Sequence, residues 1–442
     1  MIVIIGNGIS GVTAARHIRK NSHEEILIIS AESKYFFSRT ALMYVYMGHM
    51  KFEHTQPYEP YFWEENRIHL KQARVESVNT NDKTVVLNNG EIIKYNSLIL
   101  ATGSKPNKFD WKGQDLKRVG GLYSKQDLEY IEECSEGLKK AVVIGGGLIG
   151  IELAEMFLSR NIEVHFLVRE KNFWGGVLPK RDSEFIMNHI DKHHGLNMHY
   201  QEELEEIVSN DQGEACAVIT KSGEKIDCQF VGLTAGVSPS IGFIKDGAIE
   251  TNRGILVNKY LETNIAGVYA IGDCAEFKEL IEGRRSIEQV WYTGKFMGET
   301  VAKTILGNRT EYTPGHWFNS AKFFDIEYQT YGNVANELQE GQSEFIFEDR
   351  SNDILLHFVY DTTNMKFIGV NNFGIRLRHQ LFNEWLLQGA TMDTVLQNLT
   401  SANFDPEFYK RYETQIVDQF NNENGTSIQL SAKKWWQSIV KK

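Results

Sequence analysis

Two glycine clusters carry the first chemical signal in this 442-residue sequence. Gly6, Gly8 and Gly11 sit in "GNGISG", and Gly145, Gly147 and Gly150 sit in "GGGLIG". In a G-x-G-x-x-G between a strand and a helix, the first glycine makes a tight turn and the second admits a pyrophosphate to the backbone. The third lets the helix pack closely on the strand. The phosphate then rests on the helix N-terminus, where unpaired N–H groups and the helix dipole favour negative charge. Two such spacings in one chain point to two dinucleotide sites. A third stretch, "KYFFSRTALMYVYMG" from Lys34 to Gly48, offers Ser38, Arg39 and Thr40 but no thiol.

The elements that must hold these glycines are legible around them. A strand-like run, Ile2–Ile5, enters the first cluster, an alanine-containing helical stretch leaves it, and a second strand, Ile26–Ile29, closes the unit. The pattern recurs 139 residues later, from Gly6 to Gly145. There a strand over 141–144 leads into the glycines, followed by the helix "IELAEMFLSR" and the strand "VHFLV" over 164–168. The repeat is a duplicated fold unit rather than a solenoid. Past residue 316 the texture changes. Strand-like runs at 323–331, 344–347, 354–360 and 367–370 precede helical stretches at 377–399 and 406–420, the pattern of an α+β domain.

Composition bounds the partners. Hydrophobic residues make up 42% and charged residues 24% of the chain, as in a globular protein. No run approaches the length of an apolar membrane span. The net charge of −11 argues against a nucleic-acid partner, which needs clustered Lys and Arg. Cys134, Cys216, Cys228 and Cys274 form no C-x-x-C pair and no zinc-like cluster, so reduced thiols and a cytoplasmic setting are expected. The tail "SAKKWWQSIVKK", 431–442, mixes two Trp with four Lys. It suits an anionic membrane surface or an acidic partner, or else is a solvated tail.

Four separated motifs together resemble the two-dinucleotide-binding-domain flavoproteins, the pyridine nucleotide-disulfide oxidoreductase superfamily. They are "IIGNGISG", "LILATGSKP", "AVVIGGGLIGIELAE" and "GVYAIGDCAE". The likeness is nearest to the ferredoxin, rubredoxin and nitrite reductase-like and NADH oxidase-like branch, and it spans residues 1 to about 310. It implies an α/β fold with two Rossmann-like domains, for FAD and NAD(P), plus a C-terminal α+β domain. The implied FAD domain is 1–112 with 236–315, the NAD(P)H domain 113–235, and the C-terminal domain, a dimer interface in such proteins, 316–442.

Carried over residue by residue, the resemblance places FAD against Gly6, Gly8, Gly11, Ala101, Thr102 and Gly103. Asp273 would hold the ribityl chain, Val75 the adenine through its backbone, and Arg39 the pyrophosphate region. Trp291 either flanks the flavin or is an ordinary core tryptophan. The acid of the family that holds the adenosine ribose falls on Ser30 here, with Glu32 two residues on, so one or the other makes that contact. For the nicotinamide nucleotide the resemblance names Gly145, Gly147, Gly150 and Gly236. It also puts Glu152 near the nicotinamide, where the alternative is an early-helix carboxylate that favours the dipole. Beyond the next strand, Val168 replaces the expected acid, Arg169 resembles a 2′-phosphate ligand, and Glu170 favours NADH. The pair favours NADPH or dual use over strict NADH.

The implied reaction is hydride transfer from NAD(P)H onto FAD, then electron delivery to a small redox protein or a diffusible acceptor. Many relatives relay electrons through a cysteine near the Lys34–Gly48 loop. Here "FSRTAL" resembles the thiol-free loop of the ferredoxin and rubredoxin reductase branch. Two further readings stay open: a redox-responsive interaction protein resembling apoptosis-inducing factor, and a peripheral membrane quinone reductase acting through the tail. A homodimer is the expected assembly.

Overall fold

The computed structural model describes residues 1–245, 247–281, 283–404 and 410–431. The chain divides into two compact units, Met1–Arg169 with Gly195–Pro314, and Glu170–His194 with Gly315–Lys442.

The first unit contains two parallel five-stranded sheets. One runs in the order Val268–Ala270, Ser97–Leu100, Ile2–Ile5, Ile26–Ser30, Ile68–Gln72. Its central strands are short and aliphatic, and Ile2–Ile5 is buried throughout, as a parallel strand covered on both faces must be. The second sheet runs Leu196–Tyr200, Glu163–Val168, Lys140–Ile144, Phe230–Leu233, Val119–Gly120. In both, a central strand feeds a glycine turn and then a helix: Ile9–Asn21 in the first, Leu148–Ser159 in the second. The duplication expected from the glycine spacing is therefore present strand for strand.

In the second unit, five antiparallel strands run in the order Phe318–Phe323, Ile326–Gly332, Phe367–Phe373, Ile354–Asp361, Gln342–Asp349. An aromatic core of Phe345, Phe358, Phe367, Phe382 and Phe420 lies beneath it. Two expectations change here. The run 323–331 is not one strand: Phe323 pairs directly with Ile326 across a two-residue turn, with Phe324 at φ 56°. Such turns usually announce themselves by Asn-Gly or Asp-Gly, and Phe-Asp does not. The stretch 377–399 is not one helix: it holds His379–Gln388 and Met392–Gln397, and a third, Leu399–Ala402, begins at its last residue. Gly389 ends the first in the left-handed conformation, at φ 61°. The expected helix 406–420 lies partly outside the described residues; the observed one is Glu413–Asn424.

The second unit also takes in helix Lys180–Ile190, which lies in sequence between two strands of the second parallel sheet. Its Asp182 is wholly buried and accepts a hydrogen bond from Asn371 Nδ2 at 2.7 Å. Its other oxygen lies 2.7 Å from His357 Nδ1, and Glu344 Oε2 lies 3.0 Å from His357 Nε2. The strand "ILLHFVYD" thus owes its single polar interruption to a partner 175 residues away.

Candidate functional site

Each glycine turn is built from close backbone approach. A Cβ on Gly6, which has φ 112°, would stand 2.0 Å from the Ala101 carbonyl oxygen. One on Gly11 would stand 2.1 Å from the Gly6 oxygen. At the second turn, Gly145 has φ 116° and Gly150 meets the Gly145 oxygen at 2.3 Å. The middle glycines differ: a Cβ on Gly8 or Gly147 would meet nothing within 4 Å. These two are the N-caps of their helices, no side chain caps either helix, and neither first turn carries an acid. Helix N-termini beside open space, with no carboxylate in the first helical turn, fit a dinucleotide pyrophosphate at both turns.

Around the first turn, Asp273 lies on a short 3₁₀ turn after the strand Val268–Ala270. Tyr123 Oη donates to its carboxylate at 3.1 Å and accepts from the Ser104 N–H at 2.8 Å. Burial raises the Asp273 carboxyl above its ordinary range, while the Tyr123 hydrogen bond opposes the shift. Gly103, at φ 66°, leaves room for that same hydroxyl, since a Cβ there would lie 2.7 Å from it. Thr102 Oγ1 donates to the Ser240 carbonyl at 2.8 Å, and the Ala101 N–H donates to Ile5 at 2.8 Å. Helix Trp291–Ile305 crosses the first helix closely; a Cβ on Gly298 would lie 2.6 Å from the Ser10 carbonyl oxygen. Trp291 opens that helix half-buried, edge-on to Tyr292, and Val75 is buried at the start of its own strand.

Arg39 forms the most connected charge in this region. Its guanidinium holds Glu32 in a two-pronged pair at 2.8 and 2.6 Å and donates to the Tyr123 carbonyl. It also lies over the Tyr123 ring at 4.4 Å. Glu32 accepts in addition from the Lys125 N–H at 2.8 Å. The Ser30 hydroxyl is committed to Asn7 Oδ1 at 2.9 Å. Both ribose candidates thus carry internal partners, although the Glu32 carboxylate retains acceptor capacity. Sequence reasoning missed Tyr123 and Lys125, which reach Asp273 and Glu32 from a segment separate from all four motifs.

Arg39→Ala strips Glu32 of its two-pronged partner and Tyr123 of a cation. The expected cost is about 1–2 kcal/mol for a half-buried charged hydrogen-bond pair. It should appear as flavin lost on desalting, read as the ratio of flavin to protein absorbance. Undiminished flavin content would remove Arg39 from the site.

At the second turn, Glu152 is the fifth residue of its helix, and burial with Glu155 nearby pushes its carboxyl up to about 7. Gly236 has φ 83°, and its carbonyl accepts from the Asn107 N–H at 3.1 Å. Arg169 is exposed beyond the strand Glu163–Val168, while Glu170 opens the second unit. Cys274, beside Asp273, is fully buried; its thiol donates to the Leu100 and Ile271 carbonyls at 3.4 and 3.3 Å.

Two phosphate-ready glycine turns, each at the end of a parallel sheet, define a protein of the class built on two dinucleotide-binding folds. The chain belongs to the pyridine nucleotide-disulphide oxidoreductase family, whose sequence model matches residues 1–295, and FAD and NAD(P)H are its cofactors. It is 32% identical over 285 residues to a Bacillus subtilis nitrite reductase [NAD(P)H], covering 64% of this chain but only 35% of that protein. It is 31% identical over 342 residues to an NADH oxidase of Methanocaldococcus jannaschii, covering 74% of each. The fold is also that of a ferredoxin reductase from Rhodopseudomonas palustris, with a TM-score of 0.77 at 22% identity over 95% of this chain and 99% of that one.

Proposed function

We propose that this chain is an NAD(P)H:acceptor oxidoreductase that delivers electrons from bound FAD to a small redox protein or a diffusible acceptor, without a thiol relay. FAD supplies the hydride acceptance and onward electron release; the protein supplies binding, orientation and access. The observation that supports this is the Lys34–Gly48 loop, where Arg39 ties to Glu32 and Tyr123 and the Ser38 and Thr40 hydroxyls lie 3.3 Å apart. Redox relay needs an accessible thiolate. Cys274 is walled into the sheet, and burial pushes the Cys228 thiol up to about 12. Gly6, Gly8, Gly11, Thr102 and Asp273 take the FAD side, and Gly145, Gly147, Gly150 and Gly236 the NAD(P)H side. Glu152 stands near half-protonation at neutral pH, so it can hold or release a proton beside the nicotinamide.

Anaerobic NADH and NADPH titrations should both bleach the flavin, with NADPH depending on Arg169. A variant with all four cysteines changed to Ser or Ala should keep wild-type turnover with artificial acceptors. Loss of turnover in that variant, with flavin retained, overturns the direct-delivery reading. Reduction by NADH alone overturns the assignment of Arg169. A cytoplasmic homodimer is part of the same reading. Among the described residues no helix is long and apolar enough to cross a membrane. The tail residues 432–442, on which membrane contact rested, lie outside the described residues. Slow turnover with every acceptor, together with an NADH-dependent change in oligomeric state, would favour the apoptosis-inducing-factor-like reading instead.

A further inference from the structure

Three ligand-type side chains converge within the second unit: His189, His193 and Asp325. His189 lies in the last turn of helix Lys180–Ile190. The chain keeps turning beyond it, with the Lys192 N–H donating to His189 at 3.1 Å and the His193 N–H to Ile190 at 3.0 Å. That brings rings four residues apart onto one side. Asp325 comes from the two-residue turn between strands Phe318–Phe323 and Ile326–Gly332, and its neighbour Phe324 stacks on the His193 ring at 3.8 Å.

The ligand atoms have coordination spacing. His189 Nε2 lies 2.7 Å from Asp325 Oδ1 and 3.4 Å from His193 Nε2, and His193 Nε2 lies 3.9 Å from the same carboxylate oxygen. Metal–ligand bonds of 2.0–2.2 Å in tetrahedral geometry set ligand atoms about 3.3 Å apart, within the range these three pairs span. The other nitrogen of His189, Nδ1, is buried without a hydrogen-bond partner, in a residue only 5% exposed. Asp353 Oδ2 stands 3.7 Å from it. A carboxylate behind the non-ligating nitrogen is the arrangement that orients a metal-bound imidazole.

We propose that His189 Nε2, His193 Nε2 and Asp325 Oδ1 form a binding site for a divalent transition cation of the zinc class. The ligand set, two imidazoles and one carboxylate, suits Zn²⁺ over Mg²⁺ or Ca²⁺, which prefer all-oxygen shells. Solvent takes the fourth position, on the side where the Asp325 side chain is 77% exposed. Both rings must carry their proton on Nδ1 for Nε2 to ligate, and the cation then replaces the His189–Asp325 hydrogen bond. A bound ion would clip helix Lys180–Ile190 to the hairpin, joining two segments of one unit that are far apart in sequence.

In an ordinary His189–Asp325 ion pair His193 would only stack on Phe324 and its Nε2 would hold no ion, and that difference is the test. Untagged, chelator-stripped full-length protein is titrated with ZnCl₂ by calorimetry, and with CoCl₂ by visible absorption. The expected result is saturable binding of one ion per chain, intense d–d bands of a low-coordinate Co²⁺ site, and a raised Tm. At an ion concentration 100 times Kd, the folding equilibrium should shift about 100-fold toward the native state. His193→Gln should weaken binding at least ~10-fold, the usual range for altering a metal site, while flavin content stays unchanged. No saturable binding overturns the site. So does a His193→Gln variant that binds as tightly as wild type, or a control His49→Gln variant that weakens binding equally.

Discussion

Gly8→Val should yield a folded but colourless protein. Gly8 is a helix N-cap at φ −69°, a backbone that any residue adopts. A Cβ there meets no protein atom within 4 Å, so the fold has no steric objection to valine. The weaker N-cap costs the apoprotein about 1 kcal/mol or less. The space that the side chain enters is the space the pyrophosphate needs. Overpacking of this kind costs about 1–3 kcal/mol or more, a loss of roughly 10- to 100-fold in FAD affinity. Gly147→Val makes the mirror-image change at φ −110°: flavin retained, reduction by NAD(P)H lost. Gly11→Val is the contrast, because its Cβ would stand 2.1 Å from the Gly6 carbonyl oxygen and the strand–helix contact itself must open. That variant should lose Tm as well as colour. Flavin content, thermal melting and NAD(P)H titration of the three variants separate phosphate room from fold. A yellow Gly8→Val with wild-type flavin content would overturn the assignment of the first turn to FAD.

What the sequence disclosed and what it hid divide along one physical line. The glycine turns were legible because their chemistry is local: a strand, a tight turn and a helix N-terminus occupy a dozen consecutive residues. The first strand lies where its aliphatic run places it, at Ile2–Ile5. The Tyr123–Asp273 and Arg39–Glu32 contacts were half legible. Arg39 and Asp273 sit in or beside motifs, but Tyr123 enters from a segment with no pattern of its own and meets Asp273 across 150 residues. The hairpin at Phe324 was hidden because its turn residues carry no glycine or asparagine to mark the left-handed φ. Helix Lys180–Ile190 was not among the elements read from the sequence, and nothing in its local pattern shows that it packs with strands more than 150 residues downstream.

That helix underlies the second large expected effect, at Asp182 and His357. Burial alone would push the His357 imidazole down, but Asp182 and Glu344 bond both its nitrogens and raise it to about 9. The folded protein therefore holds this proton more tightly than the unfolded chain, whose histidine titrates near 6.5. A rise of that size corresponds to about 3 kcal/mol, fully present below pH 6.5 and lost progressively as pH climbs through 9. His357 is 1% exposed, so solvent screening takes little from that figure. Denaturant unfolding followed by tryptophan fluorescence should show stability falling across this window. His357→Ala should remove that dependence and cost about 3–5 kcal/mol, since it leaves the Asp182 carboxylate buried with the Asn371 amide still donating to it but no cation beside it. Replacing both residues, Asp182→Leu with His357→Leu, removes the stranded charge and should recover much of the loss. A single variant costing under about 1 kcal/mol, or one keeping the wild-type slope with pH, would show that the proton resides elsewhere. The double variant then decides the reason: recovery means an uncompensated charge caused the loss, and no recovery means the imidazole's packing did.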